Sequence, residues 1–334
     1  LSGFSGFFSG AVIARFKTGP VVLASCAATG GALLAISHAQ SLGWLLLALV
    51  PLGLGAGAVD AGLNGYVARH FSGRQMNWLH ACWGVGASIG PMIMGAAIKT
   101  GGGWRPGFFA ISVAQLSLAL VFLCTLALWR AVPERIQILD TVSKAEETSR
   151  PGANSPAGWL SVGIFMLYTS VEATAGVWAG SILMVGREVA PGIAAGCAAA
   201  FYGAITTGRI AAGAIVDRWG NRRVISWGGT LAFAGAGLFA VADSAAGSGA
   251  ALVMMGLGFA PIYPCLMHEA PKRFAPEEAQ IVIGRQSGAG AIGMALLPAV
   301  AGWVAGFSLE AVTWMLIAGV VALLTVVRWL YRIA

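Results

Sequence analysis

Long apolar runs separated by short polar segments make up most of this chain. Ten runs are long enough to cross about 30 Å of hydrocarbon as α-helices at roughly 1.5 Å per residue. An eleventh run, Leu1 to Ala14, is too short to do so. We therefore predict an all-α integral membrane protein, with helices over residues 21–37, 42–67, 78–98, 107–129, 159–185, 192–216, 224–241, 249–267, 281–304 and 309–330.

The composition agrees with this pattern. Hydrophobic residues make up 57% of the 334 residues, charged residues make up 10%, and the mean hydropathy is +0.79, so too little polar surface exists for a soluble protein. A net charge of +7 is compatible with a nucleic-acid partner, but the basic residues lie between apolar runs instead of clustering on one face or in a tail. We interpret the charge as topological, and we expect a lipid bilayer and no nucleic acid as partners.

The basic residues fall mainly in alternate loops. One set of alternate loops is basic. In chain order, these loops contain Arg15 and Lys17; Arg69 and Arg74; Arg130, Arg135, Lys144 and Arg150; Arg218, Arg222 and Arg223; Lys272 and Arg273; and Arg328 and Arg332. The opposite loops hold only Lys99, Arg105 and Arg187. By the positive-inside rule, the first set of loops and the last residue are predicted to be cytoplasmic, in a cell membrane of the bacterial inner-membrane kind.

Signals for other protein classes are missing from the sequence. The five cysteines each lie in an apolar run without CxxC spacing, which favours reduced packing residues over a metal site or disulfides. Phosphate-binding Gly-Lys loops, HExxH zinc motifs and nucleophile elbows do not occur either. The sequence therefore gives no positive case for an enzyme, and we expect no cofactor and no metal.

Two similar stretches lie 203 residues apart. GAIVDRWGNRR, beginning at Gly213, ends an apolar run with a basic turn, and GAVIARFKTGPVV, beginning at Gly10, does the same. The same offset relates GLG at Gly256–Gly258 to GLG at Gly53–Gly55, which indicates a duplicated architecture. The counterpart of the run at 159–185 would precede Leu1, so we expect a twelfth helix upstream of this sequence.

The stretch that begins at Gly213 contains a recognisable sequence motif, formed by Gly213, Asp217, Arg218, Gly220, Arg222 and Arg223. It resembles the loop motif of the major facilitator superfamily, between the second and third helices of each half. The first copy departs from the motif, with Ala14 in place of the acid and Lys17 in place of the second glycine. The resemblance implies the major facilitator fold of two six-helix bundles, here 1–130 and 157–334, joined by a cytoplasmic linker at 131–156.

Ionisable residues within predicted helices are candidates for function, because an unpaired charge there costs at least ~2.5–3.5 kcal/mol. Asp60 lies nine residues before Arg69, close to the predicted midplane, and Asn64 follows one turn later on the same face. Asn77 and His80 share a face of the next helix, where His80 either contacts solute or relays a proton, or is only a satisfied packing group.

GLGAGAVDAGLN and QMNWLHACWGVGASIGP, which contain these residues, look like the fourth and fifth helices of the L-fucose permease and glucose/galactose transporter group. YTSVEATAGVW, from Tyr168 to Trp178, looks like its seventh helix, with Glu172 as a second deep acid one turn after Tyr168. The resemblance implies a sugar site. Trp83 stands where the fucose permease has a further polar residue, so the particular sugar is not specified.

Two arginines and two prolines complete the candidates. Arg209 and Arg285 lie about two turns from basic loops, which favours snorkelling to the interface and a structural role, including pairing with the deep acids. Pro261 and Pro264 are expected to kink one helix into a gate with Tyr263 on its cavity side. The small-residue strips at 84–90 and 287–293 allow either close helix packing or sliding.

The sequence as a whole indicates a monomeric secondary transporter that moves a small polar solute, most simply a sugar, by alternating access with proton symport. The substrate and proton residues would be Asp60, Asn64, Asn77, His80, Glu172, Tyr168, Trp178 and Tyr263. The alternatives are a drug or metabolite exporter that works as a proton antiporter, and a non-transporting membrane sensor with the same fold.

Overall fold

A computed structural model of the protein describes residues 1–132 and 150–334. Its helices are α1 (Ser2–Phe16), α2 (Thr18–Ser37), α3 (Leu42–His70), α4 (Gly73–Lys99), α5 (Arg105–Cys124), α6 (Pro156–Ser181), α7 (Pro191–Trp219), α8 (Asn221–Val241), α9 (Ala245–Phe259), α10 (Ile262–Arg273), α11 (Ala279–Ala305) and α12 (Leu309–Ile333). A 3₁₀ turn at Leu126–Arg130 follows α5, and a π-helical turn at Ile182–Gly186 follows α6. No strand occurs among the described residues.

Ten of the described helical segments are long and apolar enough to cross a membrane, with α9 and α10 counted as one segment and α1 too short to be included. The predicted all-α membrane fold with eleven helical segments is therefore confirmed. Polar helix starts extend several segments beyond their apolar runs. For example, α4 begins at Gly73, five residues before the predicted start, and the side chains of Ser72 and Gln75 form a capping box there.

The 203-residue repeat is visible in the helix boundaries. Shifted by this offset, α1, α2 and α3 end within one residue of the ends of α7, α8 and α10. The predicted break at Pro261 is also present, because α9 ends at Phe259 and α10 begins at Ile262. In the first half, the equivalent segment is the continuous helix α3, in which Pro51 is the only proline.

Helix packing divides the described chain into a first half, α1–α5, and a second half, α6–α12. In the first half, α2 packs against α3 and α5, and α1 packs against α3. In the second half, α6 packs against α11, and α9 packs against α7 and α8. The halves meet mainly along two helix pairs, α1 with α11 and α4 with α7. In addition, α3 contacts α10 and α11, and α4 contacts α10. The exact boundaries of the two bundles and the linker remain a prediction, because residues 133–149 lie outside the described part of the chain.

The α1–α11 contact depends on glycines. A Cβ atom on Gly10 would lie 2.7 Å from the Ile281 Cα atom, and one on Gly288 would lie 2.5 Å from the Gly3 carbonyl oxygen. The strip at 287–293 therefore packs closely against α1, as one of its two interpretations expected. In the other strip, only Gly84 meets a neighbour, Thr206, whereas Gly86 and Gly90 have open space beside them.

The turn after α1 is strained. Lys17 has φ 71° and ψ 158°, and Gly220, at the same place in the second repeat, has φ 82° and ψ 148°. Only glycine adopts this conformation without steric cost, and other residues lose about 1–3 kcal/mol there. The lysine thus occupies a position that the fold builds for glycine.

We expect Lys17→Gly to raise the free energy of unfolding by about 1 kcal/mol, because it removes this backbone strain. The measurement is thermal unfolding of the purified protein in detergent. Lys17→Ala is the matched control, since it removes the same charge and keeps the strain. Equal stabilisation by both substitutions would contradict the backbone explanation.

Candidate functional site

The loop motif at the end of α7 contacts the other half of the protein. The Asp217 carboxylate accepts a hydrogen bond from the Ser72 hydroxyl at 2.6 Å and one from the Arg74 backbone N–H at 3.3 Å. It therefore caps the N-terminus of α4, where unpaired backbone N–H groups and the helix dipole favour a negative charge. The Arg74 side chain lies 3.9 Å from the same carboxylate.

The other motif residues surround this contact. Gly213 lies against Trp78 of α4, with a Cβ atom at this position only 2.6 Å from the indole nitrogen, and Gly220 makes the turn. Arg222 stacks on the Tyr331 ring at 4.6 Å from its centroid, whereas Arg218 and Arg223 are exposed. The motif thus has one acid that reaches across the interface and several cations at the surface of its own half.

Further hydrogen bonds close the same end of the interface. The Asn77 amide donates to the Cys265 sulfur at 3.6 Å, and the Gln280 amide donates to the Ala61 carbonyl at 3.2 Å. His268 contacts the Phe71 carbonyl at 3.3 Å. Asn77 and Cys265 are completely buried between the two halves. The described conformation is therefore closed at the end that carries the basic loops.

We expect Asp217→Asn to loosen this closed end, because the amide loses the negative charge at the α4 N-terminus and its charge-assisted hydrogen bonds. Buried Cys265 is a native reporter of the opening. In a background with serine at the other four cysteine positions, maleimide labelling of Cys265 should be at least about threefold faster in Asp217→Asn, which corresponds to less than 1 kcal/mol.

The matched control for that experiment is Asp243→Asn, which neutralises an exposed acid in the loop between α8 and α9. It should leave the labelling rate unchanged. Equal rates for Asp217→Asn and the parent protein would show that Asp217 does not hold the halves together.

Deeper in the protein, Glu172 lies in a cluster with Tyr168 and Arg209. The Tyr168 hydroxyl donates to the Glu172 carboxylate and also contacts the Phe259 carbonyl oxygen at 2.9 Å, next to the break between α9 and α10. The Arg209 guanidinium lies 3.7 Å from the same carboxylate, and both side chains are largely buried. The pairing of Glu172 with Arg209 was among the predicted options, but the predicted snorkelling is wrong because the guanidinium faces inward.

Arg209 also reaches the first half. Its guanidinium donates to the His80 carbonyl at 3.1 Å and lies 5.5 Å from the centroid of the Trp83 ring, both on α4. One buried cation from α7 therefore contacts an acid of its own half and the backbone and an aromatic ring of the other half. This bridging position is not evident from the sequence, because the three helices are far apart along the chain.

His80 joins a second polar group, which contains Asp60. The His80 Nε2 atom lies 3.0 Å from the Asn64 side-chain oxygen, and its ring centroid lies 4.9 Å from that of Tyr263. Asn64 and Ser287 flank the Asp60 carboxylate, and Asp60 itself is exposed. The Asn64 amide nitrogen and the Ser287 hydroxyl are buried atoms without a hydrogen-bond partner in the structure.

Tyr263 connects the two polar groups. Its ring centroid lies 5.8 Å from that of Tyr168 and 4.9 Å from that of His80. The break at Pro261 places this tyrosine directly after the interrupted helix, beside both groups. The structure thus brings together six of the eight proposed binding residues, namely Asp60, Asn64, His80, Tyr168, Glu172 and Tyr263, and adds Arg209, Trp83 and Ser287 to them.

The other two proposed binding residues have separate contacts. Asn77 also donates to the Gly73 carbonyl at 2.9 Å and belongs to the closed end of the interface. The Trp178 indole N–H donates to the Pro298 carbonyl at 3.0 Å, so this residue connects α6 to α11. Within the described ranges, no group of three or more histidine, cysteine, aspartate or glutamate residues is arranged to hold a metal ion.

Comparisons with solved structures agree with the two-half architecture. The human organic anion transporter MFSD10 (TETRAN) superposes with a TM-score of 0.77 at 16% identity, over 97% of this chain and 80% of that one. The E. coli fucose:proton symporter FucP superposes with a TM-score of 0.75 at 12% identity, over 98% of this chain and 87% of that one. At these identities, the likeness concerns the fold alone.

A curated relative matches at the level of sequence. It is the uncharacterized transporter y4wD of Sinorhizobium fredii (strain NBRC 101917 / NGR234), which is 28% identical over 245 residues. The match covers 71% of this chain and 61% of the relative, so this chain spans about three fifths of the relative's length.

The family comparison covers nearly the whole chain. The model of the Major Facilitator Superfamily matches residues 1–267 and 160–334, two overlapping stretches that together include both halves. With the helical fold, the repeat and the loop motif described above, this match shows that the chain belongs to the major facilitator superfamily and is a multi-pass membrane protein.

Proposed function

We propose that this protein is a proton symporter that takes up a small polar solute, most simply a sugar, by alternating access. The solute binds between the two halves, at the level of Asp60 and Glu172. The basic loops and the C-terminus lie in the cytoplasm, and the protein works as a monomer in a bacterial inner membrane. The proposal rests on the following contrast between the two acids.

The two deep carboxylates have different partners. Glu172 is paired with Arg209 and hydrogen-bonded to Tyr168. No lysine, arginine or histidine nitrogen of the described residues lies within 4.0 Å of the Asp60 carboxylate. Asp60 can therefore gain and lose a proton without breaking an ion pair, which is what a proton-carrying group has to do in each transport cycle.

The surroundings of Asp60 suit a hydroxyl-rich solute. Asn64 and Ser287 provide a donor and a hydroxyl without protein partners, and the rings of Tyr263 and His80 give an apolar surface next to them. Sugars combine hydroxyl groups with apolar ring faces, so both features have a counterpart in the solute. The sequence resemblance to the fucose permease group supports the same class of solute.

The direct test is uptake of radiolabelled hexoses and pentoses by transporter-deficient bacteria that express the full chain, with and without a protonophore. The proposal expects accumulation of at least one sugar that collapses with the protonophore. Accumulation that survives the protonophore would contradict proton coupling. Absence of uptake of every sugar, with the protein present in the membrane, would contradict the sugar assignment.

Export of a drug or metabolite by proton antiport is the other function that fits the same family. The site does not favour it, because the buried cation Arg209 is already paired and polar side chains surround Asp60. An exporter would lower the accumulation of a dye or drug in the same cells, and the effect would depend on Asp60. A sensor without transport activity would show neither uptake nor export.

A further inference from the structure

A cavity separate from the proposed solute site lies within the second half of the protein. It has a volume of about 680 Å³ and opens at the basic-loop end of the second half, between the segment that leads into α6 and the ends of α10 and α12. Its charged lining side chains are Arg150, Glu269, Lys272, Arg273 and Arg332. Neither the loop motif nor the transport mechanism accounts for this cavity.

The lining is strongly basic. Four of its five charged side chains are cationic, and the single acid, Glu269, is already engaged. Its carboxylate accepts hydrogen bonds from Arg273 at 2.6 Å and from the Tyr331 hydroxyl at 2.9 Å. Glu269 therefore pairs with Arg273, whereas Lys272 and Arg332 contribute positive charge at the mouth of the cavity that favours an anionic ligand.

Part of this cationic lining is rigid. The Arg273 side chain is only 8% exposed, and its guanidinium lies 4.6 Å from the centroid of the Tyr331 ring. Arg222 lies at the same distance from the centroid of that ring. Lys272 and Arg332, in contrast, are exposed at the mouth, where their charged ends can approach a ligand.

A phosphate group matches these features. Guanidinium groups bind phosphate oxygens through paired N–H donors, and a lysine ammonium adds a mobile point charge. Basic pockets between helices on the cytoplasmic side of membrane proteins are suited to anionic lipid headgroups. The cavity lies at the end of the helices where the positive loops place the membrane surface.

We propose that this cavity is a binding site for a phosphate group, either in the headgroup of an anionic phospholipid or as a free phosphate ion. Lys272 and Arg332 bind the group at the mouth, next to the fixed Arg273–Glu269 pair. The site is separate from the solute site, and this proposal does not depend on the direction or the substrate of transport.

The test is thermal unfolding of the purified full chain in a neutral detergent. Phosphatidylglycerol, phosphatidylcholine and inorganic phosphate are added in separate titrations. The proposal expects phosphatidylglycerol or inorganic phosphate to raise the unfolding midpoint by at least about 3 °C at saturation, since a ligand that binds only the folded state stabilises it. Phosphatidylcholine, which has no net charge, should have a smaller effect.

Two double variants locate the effect. Lys272→Gln/Arg332→Gln removes two cations from the mouth of the cavity, and both residues are exposed, so the fold should tolerate the change. Arg223→Gln/Arg328→Gln is the matched control, because it removes two exposed cations of the same half that do not line the cavity. The first variant should lose most of the midpoint shift and the control should keep it.

The outcomes separate the two sources of phosphate. Both assignments require that Lys272→Gln/Arg332→Gln abolishes the midpoint shift and that the control variant keeps it. Under that condition, a shift with phosphatidylglycerol alone assigns the site to a lipid headgroup, and a shift with inorganic phosphate assigns it to the free ion. The proposal is overturned if neither ligand shifts the midpoint. It is also overturned if the two double variants lose the shift equally.

Discussion

Arg209→Gln is expected to lower the free energy of unfolding by about 3 kcal/mol, because it leaves the buried Glu172 carboxylate without its cation. The arginine side chain is 5% exposed and that of Glu172 is 15% exposed, so water replaces little of the lost interaction. The substitution also removes the hydrogen bond to the His80 carbonyl across the interface. Uptake should therefore fall together with stability.

A double-mutant cycle separates the ion pair from the other contacts of Arg209. The double variant Arg209→Gln/Glu172→Gln contains no unpaired buried charge, so we expect it to regain most of the lost stability. Thermal unfolding of the four proteins of the cycle gives the coupling energy. Arg285→Gln is the matched control, because this arginine donates only to uncharged acceptors in these contacts, the Ala153 carbonyl and the Asn154 side-chain oxygen. If the double variant is no more stable than Arg209→Gln, the two groups are not coupled.

Arg187→Leu is expected to destabilise the second half by about 2–4 kcal/mol, since it leaves the buried Ser248 hydroxyl and Phe239 carbonyl without this donor and the partly exposed Glu310 carboxylate without its cation. The Arg187 guanidinium donates two hydrogen bonds to the Glu310 carboxylate, at 3.0 and 2.9 Å. It also donates to the Ser248 hydroxyl at 2.9 Å and the Phe239 carbonyl at 2.8 Å. One side chain thus connects the end of α6 to α8, α9 and α12.

Arg105→Leu is a suitable control for this substitution. Arg105 lies at the start of α5 in the first half, where it donates one hydrogen bond to the Ala39 carbonyl at 2.6 Å and stacks on Trp104. Because it serves fewer acceptors, its loss should cost clearly less in thermal unfolding. Equal destabilisation by the two substitutions would show that the additional contacts of Arg187 contribute nothing.

Much of the fold could be predicted from the sequence, because the length of an apolar run and the chemistry of a turn are local properties. The loop at Gly213 and its weaker copy at Gly10 revealed the repeat, and the structure shows the same backbone turn at Gly220 and Lys17. The break at Pro261 followed from the missing N–H group of proline. The boundaries of α4 differed because a capping box at Ser72 lengthens the helix beyond its apolar part.

The contacts of the site were less predictable. Within one helix, the spacing of Tyr168 and Glu172 correctly indicated that they share a face. The position of Arg209 between Glu172 and α4 depends on how three distant helices rotate and pack, and helices that are apolar on all sides give little sign of this rotation. The same reason explains why Asn77, one turn before His80, faces Cys265 at the closed end.

The central claim is that Asp60 carries the proton that drives uptake. The most direct measurement is the behaviour of Asp60→Asn in two assays, proton-driven accumulation and counterflow, with the sugar that the wild-type protein accumulates. Asparagine resembles the protonated carboxyl group but cannot release a proton. Exchange of labelled for unlabelled solute needs only the loaded carrier to reorient, whereas accumulation requires the proton to leave.

We expect Asp60→Asn to lose accumulation by at least about tenfold and to retain counterflow, whereas the control Asp243→Asn should keep both. Asp243 is an exposed acid outside the site, so it tests whether the loss of any carboxylate has this effect. Accumulation by Asp60→Asn at the wild-type level, with the same sensitivity to a protonophore, would contradict the account and assign proton coupling to another group.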